Sequence, residues 1–278
     1  MKKNKIAELL AKILSFLLDL IAPPKCSVCS DLLEESGELC PRCLKYFTDA
    51  MNRRCPLCLK TPRACTCKPR NLFETTDIGE KKLISLTFFA KADSTDKGDI
   101  VSRKLVYKIK KSYDRTGARF AARELSHQLL KLFAKNKLNI EDWNITYPPR
   151  SKVEAKKYGF DQSKQLAKLI SEYTGMNFCS CFDRKNAKMQ KNLNAAERKI
   201  NADNTYFLRD DVDVNGKKFV IVDDVITTGS TINACASLLI SAGATDVFPV
   251  SVSRTKKKRR IPKRNSPAKL WFKKKYGF

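Results

Sequence analysis

The sequence predicts an α/β protein, a mostly parallel sheet flanked by helices, with a small cysteine-rich metal-binding module ahead of it. An apolar run of strand length, "KKFVIV", leads into the acidic pair Asp223-Asp224, a small-residue turn and a helical stretch. A continuous apolar strand set between helices is covered on both faces, as in a parallel sheet. The succession of strand, polar turn and helix occurs upstream as well, in "WNITYPPRSK" followed by "GFDQSKQLAKLISEYTG". Eight of the eleven cysteines fall between Cys26 and Cys67, in four close pairs.

Composition sets the frame. A chain of 278 residues with 42% hydrophobic content has room for one catalytic-sized domain and something small beside it. Its 55 Lys and Arg against 29 Asp and Glu, a formal net charge of +26, exceed what solubility needs. Such an excess favours polyanionic partners: nucleic acid, anionic lipid or phosphorylated small molecules.

Residues 1–24 are expected to form an amphipathic docking helix. Ile6, Leu9, Leu10, Ile13, Phe16, Leu17 and Leu20 recur at helical spacing and stop at Pro23-Pro24. Glu8, Lys12 and Asp19 interrupt the apolar run, and the Pro-Pro-Lys ahead of Cys26 does not resemble a cleavage site, which argues against a secretory signal or an anchor. No other segment is long and apolar enough to span a bilayer, so a cytoplasmic protein is expected.

Residues 25–72 form the cysteine-rich module. Cys26 and Cys29, Cys40 and Cys43, and Cys55 and Cys58 have C-x-x-C spacing, while Cys65 and Cys67 have C-x-C. Two thiolates two residues apart bite one tetrahedral ion, so all eight are candidate ligands of structural Zn2+. Two four-cysteine sites, one site plus a looser group, and a cross-braced order all stay open. A closed four-thiolate site replaces a core that the segment lacks and leaves no open position for catalysis.

Residues 73–254 form the larger domain. "LISLTFFA" (83–90) reads as a strand, "LVYKIKKSY" (105–113) as a basic, partly apolar helix, and "GARFAARELSHQLLKLFAK" (117–135) as an amphipathic helix. His127, the lone histidine, has no nucleophile near it in sequence and is read as a boundary residue. Trp143–Tyr147 is a short strand that Pro148-Pro149 cannot continue, and Phe160, Ser163, Leu166, Ala167, Ile170 and Tyr173 make one helical stripe closed by Gly175. Cys179, Cys181 and Cys235 are assigned to ordinary packing. The polar segment 183–204 is either a loop over a site or a solvated insertion. The motif strand is followed by a helix over 230–242 and a strand from Val247.

Asp223 and Asp224 then sit at the carboxyl edge of the sheet, where ligands of open α/β sheets bind. Thr227, Thr228, Gly229, Ser230 and Thr231 present backbone N–H groups and hydroxyls at a helix N-terminus, a phosphate cradle. Phosphate grip and carboxylates together suit a sugar phosphate, the acids accepting from ribose hydroxyls or holding a divalent ion. An N-cap Asp before a Thr-rich turn would explain one acid but not two.

"VIVDDVITTGST" resembles the phosphoribosyl pyrophosphate (PRPP) signature of type I phosphoribosyltransferases. The chain, over roughly residues 6 to 256, resembles the ComF family of competence-associated, phosphoribosyltransferase-like proteins, through the cysteine pairs, "LVYKIKKSY", "PPRS", "YGFDQSKQLA", "DRKNAKMQKNLNAAER" and the signature. It departs in having Tyr158, Asp161 and Tyr147 where many relatives carry Arg, Asn and Pro. The resemblance implies a type I phosphoribosyltransferase fold in which Asp223 and Asp224 bind ribose hydroxyls and the associated Mg2+. It gives the 5-phosphate to Thr227–Thr231 and the pyrophosphate to the turn at Pro149, Arg150 and Ser151, with Arg184 and Arg198 as candidates on a closing loop. Enzymes acting on 6-oxopurines have an acid where this chain has Thr227, so the resemblance names no acceptor.

The tail, 255–278, is basic and expected to be flexible. It is rich in Lys and Arg, has no acids, and carries Trp271, Phe272, Tyr276 and Phe278, a pattern that also suits single-stranded DNA. The expectation is a PRPP-binding protein assisting DNA uptake, with DNA-uptake machinery as further partners. A DNA-binding competence protein with a non-catalytic pocket and a nucleotide-salvage enzyme are the alternatives.

Overall fold

The computed structural model describes residues 23–34, 37–55, 60–65, 84–89, 93–112, 114–184 and 205–255. The expected N-terminal helix, Cys58, Cys67, Arg198 and the basic tail lie outside them. Among the described residues no helix is long and apolar enough to cross a membrane.

The centre of the fold is β6 (Lys218–Ile226), buried along nearly its whole length. Alternate side chains of a strand point to opposite faces, and here each face meets its own core. Val220 and Val222 pack into one cluster and Phe219 and Ile221 into the other. Strand β7 (Asp246–Arg254) pairs with β6 on one side and β2 (Trp143–Thr146) on the other. Adding β1 (Ile84–Phe88) and β3 (Asn177–Phe178) gives the order β1-β7-β6-β2-β3, every pair parallel. The expected parallel sheet is present, and β6 runs on through the acid pair to Ile226 instead of ending before it.

Helices cover both faces. On one lie α2 (Lys97–Ser112), α3 (Arg115–Lys135) and α5 (Gln162–Thr174), whose Leu105, Phe120, Leu129, Leu166 and Ile170 join Val220 and Val222. On the other, α6 (Ser230–Ser241) buries Ile232, Cys235 and Leu239 with a two-stranded antiparallel ribbon of β4 (Phe182–Arg184) and β5 (Tyr206–Leu208). A short helix, α4 (Lys152–Tyr158), follows the Pro-Pro turn and was not anticipated.

Helix α2 begins at Lys97 and not at Leu105. Its first turns bury Gly98, Asp99 and Ser102, small or polar residues that leave no apolar period in the sequence. They are small because α1 (Pro41–Asn52) lies against them: a Cβ on Gly98 would fall 2.5 Å from Ala50 Cβ and 2.8 Å from the Tyr46 carbonyl. The cysteine segment thereby shares the core of the larger domain. Phe47 of α1 is fully buried and meets Phe120 edge-on, with ring centroids 5.0 Å apart. Arg123 of α3 donates to both carboxylate oxygens of Glu38, at 2.6 and 2.8 Å.

Candidate functional site

The acid pair lies at the floor of a cleft of about 300 Å3 at the carboxyl end of the sheet. Its walls come from separate elements: Tyr107 and Lys110 of α2, the turn 148–150, Gln162 and Ser163 of α5, Arg184 and Tyr206 of the ribbon, and Thr227 and Thr231. The Ser163 hydroxyl donates to Asp223 Oδ1 at 2.9 Å, and the same oxygen accepts from the Asp224 N–H at 2.9 Å. Burial of the carboxyl, and then the neighbouring Asp224 charge, pushes the Asp223 pKa well above the usual carboxylate range.

Asp224 is 3% exposed. Its Oδ1 accepts from the Val225 N–H at 2.7 Å, while its buried Oδ2 has no hydrogen-bond partner among the described residues. Lys110 Nζ stands 3.9 Å from that oxygen, close enough for charge attraction and too far for a hydrogen bond. An unbonded buried carboxylate oxygen beside a second carboxyl is a hard, anionic donor set that fits Mg2+.

After the strand, Thr227–Gly229 turn the chain into α6. Gly229, the N-cap residue, takes φ +82°, a left-handed value that favours glycine, and the Ser230 N–H of the first turn donates to Thr228 Oγ1 at 3.3 Å. The other first-turn N–H groups, of Thr231 and Ile232, belong to residues that line a small hollow with Asp223 and residues 225–230. The hydroxyls of Thr228 and Ser230 lie 2.9 Å apart across its mouth. Loop, hydroxyls and helix dipole fit a phosphate.

The turn at 149–151 is built mainly from its own side chains. Arg150, only 8% exposed, donates Nη1 to the Phe160 carbonyl at 3.2 Å and Nη2 to the Lys110 carbonyl at 2.9 Å. Its guanidinium lies 4.5 Å from the Tyr158 ring centroid, and its backbone N–H donates to Asp161 Oδ2 at 2.7 Å. Ser151 caps α4 by accepting from the Glu154 N–H. Arg150 thus braces the turn and lends charge to the cleft it lines, while Ser151, engaged as the cap, is not among the residues that line it. Tyr158 and Asp161, two of the three expected departures, hold Arg150 together with the Phe160 and Lys110 carbonyls. The third, Tyr147, stacks on Phe178 and hydrogen-bonds Ser180.

Arg184, expected on a closing loop, is the last residue of strand β4, where it borders the cleft with its guanidinium 5.4 Å from the Tyr206 ring centroid. Sequence reasoning missed Lys110, Gln162 and Tyr206, and gave Ser163 only a place on the helical stripe. Ser163 carried a readable signal, a hydroxyl on an apolar stripe in the first turn of a helix. Gln162 has a buried Oε1 without a hydrogen-bond partner among the described residues.

At the other end of the chain, the Sγ atoms of Cys26, Cys29, Cys40 and Cys43 all lie within 4.8 Å of one another. Those of Cys29 and Cys40 are 3.7 Å apart. Four Zn–S bonds of about 2.3 Å in a tetrahedron put sulfurs about 3.8 Å apart, so the cluster fits zinc. The local fold is a knuckle: Val28 N–H points at Cys26 Sγ, Ser30 N–H donates to the Cys26 carbonyl, and Ser30 takes φ +66°. Of the four remaining candidates, Cys55 and Cys65 are not in this cluster, and Cys58 and Cys67 lie outside the described residues.

Comparison with known proteins agrees with this geometry. The phosphoribosyl transferase domain model matches residues 116–271. Competence protein ComFC of Streptococcus pneumoniae is 25% identical over 229 residues, 80% of this chain and 90% of that protein. DNA utilization protein YhgH of Salmonella typhimurium is 28% identical over 233 residues, 83% of this chain and 90% of that protein. A ribose-phosphate pyrophosphokinase of Pyrococcus abyssi is 51% identical over 41 residues, 15% of this chain and 14% of that one. With a cysteine module packed on helices α2 and α3 beside a sheet whose carboxyl end carries the acid pair and the Thr-Gly-Ser turn, the chain belongs to the ComF family and carries a phosphoribosyl transferase domain.

Proposed function

We propose that this protein binds PRPP with Mg2+ in the cleft over Asp223 and Asp224 and acts, as a phosphoribosyltransferase-like protein, in the uptake or use of DNA. The observation that carries the pocket is the buried Asp224 Oδ2, without a hydrogen-bond partner among the described residues, facing the cleft. In this reading Asp223 and Asp224 accept from the ribose hydroxyls, and Thr227, Thr228, Gly229, Ser230 and Thr231 hold the 5-phosphate. The turn of Arg150 and Ser151 faces the pyrophosphate. Bound Mg2+ would supply positive charge to the departing pyrophosphate. Arg184 adds cationic charge at the rim and Arg150 a fixed one behind it.

The DNA part of the proposal rests on the names of the two long-range relatives and on the net charge of +26. Single-stranded DNA, and with it the uptake machinery, is the proposed partner, with the zinc module and the basic tail as contact regions in a cytoplasmic setting. A salvage enzyme for 6-oxopurines is disfavoured by Thr227, which offers no acid to such a base.

Calorimetric titration of PRPP with Mg2+ into the parent and into Asp223→Ala/Asp224→Ala protein tests the pocket. Binding by the parent that vanishes in the variant is expected. A well-folded parent that binds no PRPP would overturn it.

A further inference from the structure

Lys110 is not part of the phosphate loop, the acid pair or the Pro-Pro turn, yet it touches two of the three. It sits in the last turn of α2, beside the buried Val106 and Ile109. Its carbonyl receives Arg150 Nη2 at 2.9 Å, which ties its backbone to the turn at 148–151. Its ammonium reaches the opposite way, to 3.9 Å from Asp224 Oδ2, which has no hydrogen-bond partner among the described residues. The side chain is 47% exposed, so the stem has room to swing about a fixed backbone. The next residue is engaged elsewhere: Lys111 Nζ hydrogen-bonds the Tyr107 hydroxyl and lies 4.3 Å from that ring's centroid. Among the described ion pairs, Lys110 supplies the one made to the acid pair.

A carboxylate buried as deeply as Asp224 needs a counter-charge. A divalent ion held by the same oxygen would carry twice the charge of an ammonium. Two cations on one oxygen repel, so the lysine has to leave when the ion arrives. The phosphate-bearing space of the cleft then offers it an anionic partner within the reach of its stem.

We propose that Lys110 is a place-holding cation: it neutralises Asp224 while the cleft is empty and, once a divalent ion and a sugar pyrophosphate enter, moves to the pyrophosphate oxygens. This makes it a positioning residue whose removal has opposite effects on the two ligands, and it rests on the PRPP reading of the cleft. Lys110→Met keeps the stem and removes the charge. Manganese alone, titrated without PRPP, is expected to bind the variant about fivefold more tightly, and PRPP with Mg2+ about tenfold more weakly, the scale of one lost charge pair. Lys111→Met, which lowers the net charge equally, is expected to leave both unchanged. Thermal melting of each variant verifies the fold. Losses of both ligands in Lys110→Met, or no change in either, would overturn the inference while leaving the pocket reading in place. A folded parent that binds neither ligand would overturn both.

Discussion

The hydroxyl of Ser163 donates to Oδ1 of Asp223 across 2.9 Å, tying the first turn of α5 to the strand that carries the acid pair. The bond fixes the carboxyl in orientation without neutralising it. Replacing Ser163 by Ala is expected to weaken PRPP binding by about 1 kcal/mol, roughly fivefold, with little change in melting temperature. Calorimetry of the variant with PRPP and Mg2+ checks this.

Asp223 itself is costly to ionise. Its pKa is raised by burial and by Asp224, so the folded state binds its proton more tightly than the unfolded chain does. The resulting stability is fully present below the ordinary carboxylate range and is lost as pH rises through the raised folded value. Without Mg2+ or PRPP, the melting temperature of the parent is expected to fall across that interval. That of Asp223→Asn is expected to stay flatter and to lie a few degrees higher at neutral pH. Melting curves over a pH series, alongside loss of PRPP binding in the variant, test the pair of outcomes.

The four-cysteine cluster is packed into more than its own segment. Cys26, Cys40 and Cys43 are buried in the same cluster as Leu105 and Phe120. Replacing Cys43 by Ser is expected to lower metal content and to destabilise the whole domain by more than ~3 kcal/mol. Elemental analysis with urea unfolding followed at the transferase sheet measures both. A variant that loses zinc while the sheet unfolds unchanged would contradict the shared core.

Phe47 and Gly98 test that interface without touching sulfur. Phe47→Ala removes a fully buried ring and is expected to cost about 3–5 kcal/mol in urea unfolding. Gly98→Ala pushes α2 away from α1, because the new Cβ would meet backbone and another Cβ. Since α2 carries Lys110 to the cleft, this variant is expected to weaken PRPP binding as well as stability.

Cys179 is set apart from its neighbour by one hydrogen. The Cys181 thiol points at Cys179 Sγ from 3.3 Å, and with the Lys217 and Arg209 charges nearby it brings the Cys179 pKa down to about 7. That same contact, and then burial, push the Cys181 thiol far up. Alkylation of the native protein by iodoacetamide is expected to occur at Cys179 with a midpoint near pH 7, and to spare Cys181. Peptide mapping reads this directly, and Cys181→Ala is expected to move the midpoint towards the ordinary thiol range.

The strand, acid pair and phosphate turn were legible because each carries its own local signal: an unbroken apolar run, two adjacent carboxylates, and a Thr-Gly-Ser turn. The four-cysteine cluster of Cys26, Cys29, Cys40 and Cys43 was legible as two spaced pairs. That these two pairs combine, and that Cys55 and Cys65 lie apart from them, depends on tertiary placement. Lys110, Gln162 and Tyr206 were hidden for the same reason. A lysine on a basic helix looks solvated until the helix is laid beside the sheet. The early turns of α2 were missed because close packing on α1 selects small residues there, which erases the apolar period. Arg150 was legible as a cation in a turn, but its commitment to the Phe160 and Lys110 carbonyls was not.

The order β1-β7-β6-β2-β3 also governs when the protein can finish folding. Ser85 of β1 bonds Ser251 of β7 across 166 residues of chain, their oxygens 2.7 Å apart. During synthesis β1 therefore waits, unpaired on its β7 side, until the last strand leaves the ribosome. The cysteine knuckles close over a few residues and can take up metal early, whereas the sheet is a late, long-range closure of the kind that folds slowly. In a newly made chain the sulfur site is thus the first part to mature, and the cleft over the acid pair, walled by segments as far apart as Phe89 and Thr231, is the last.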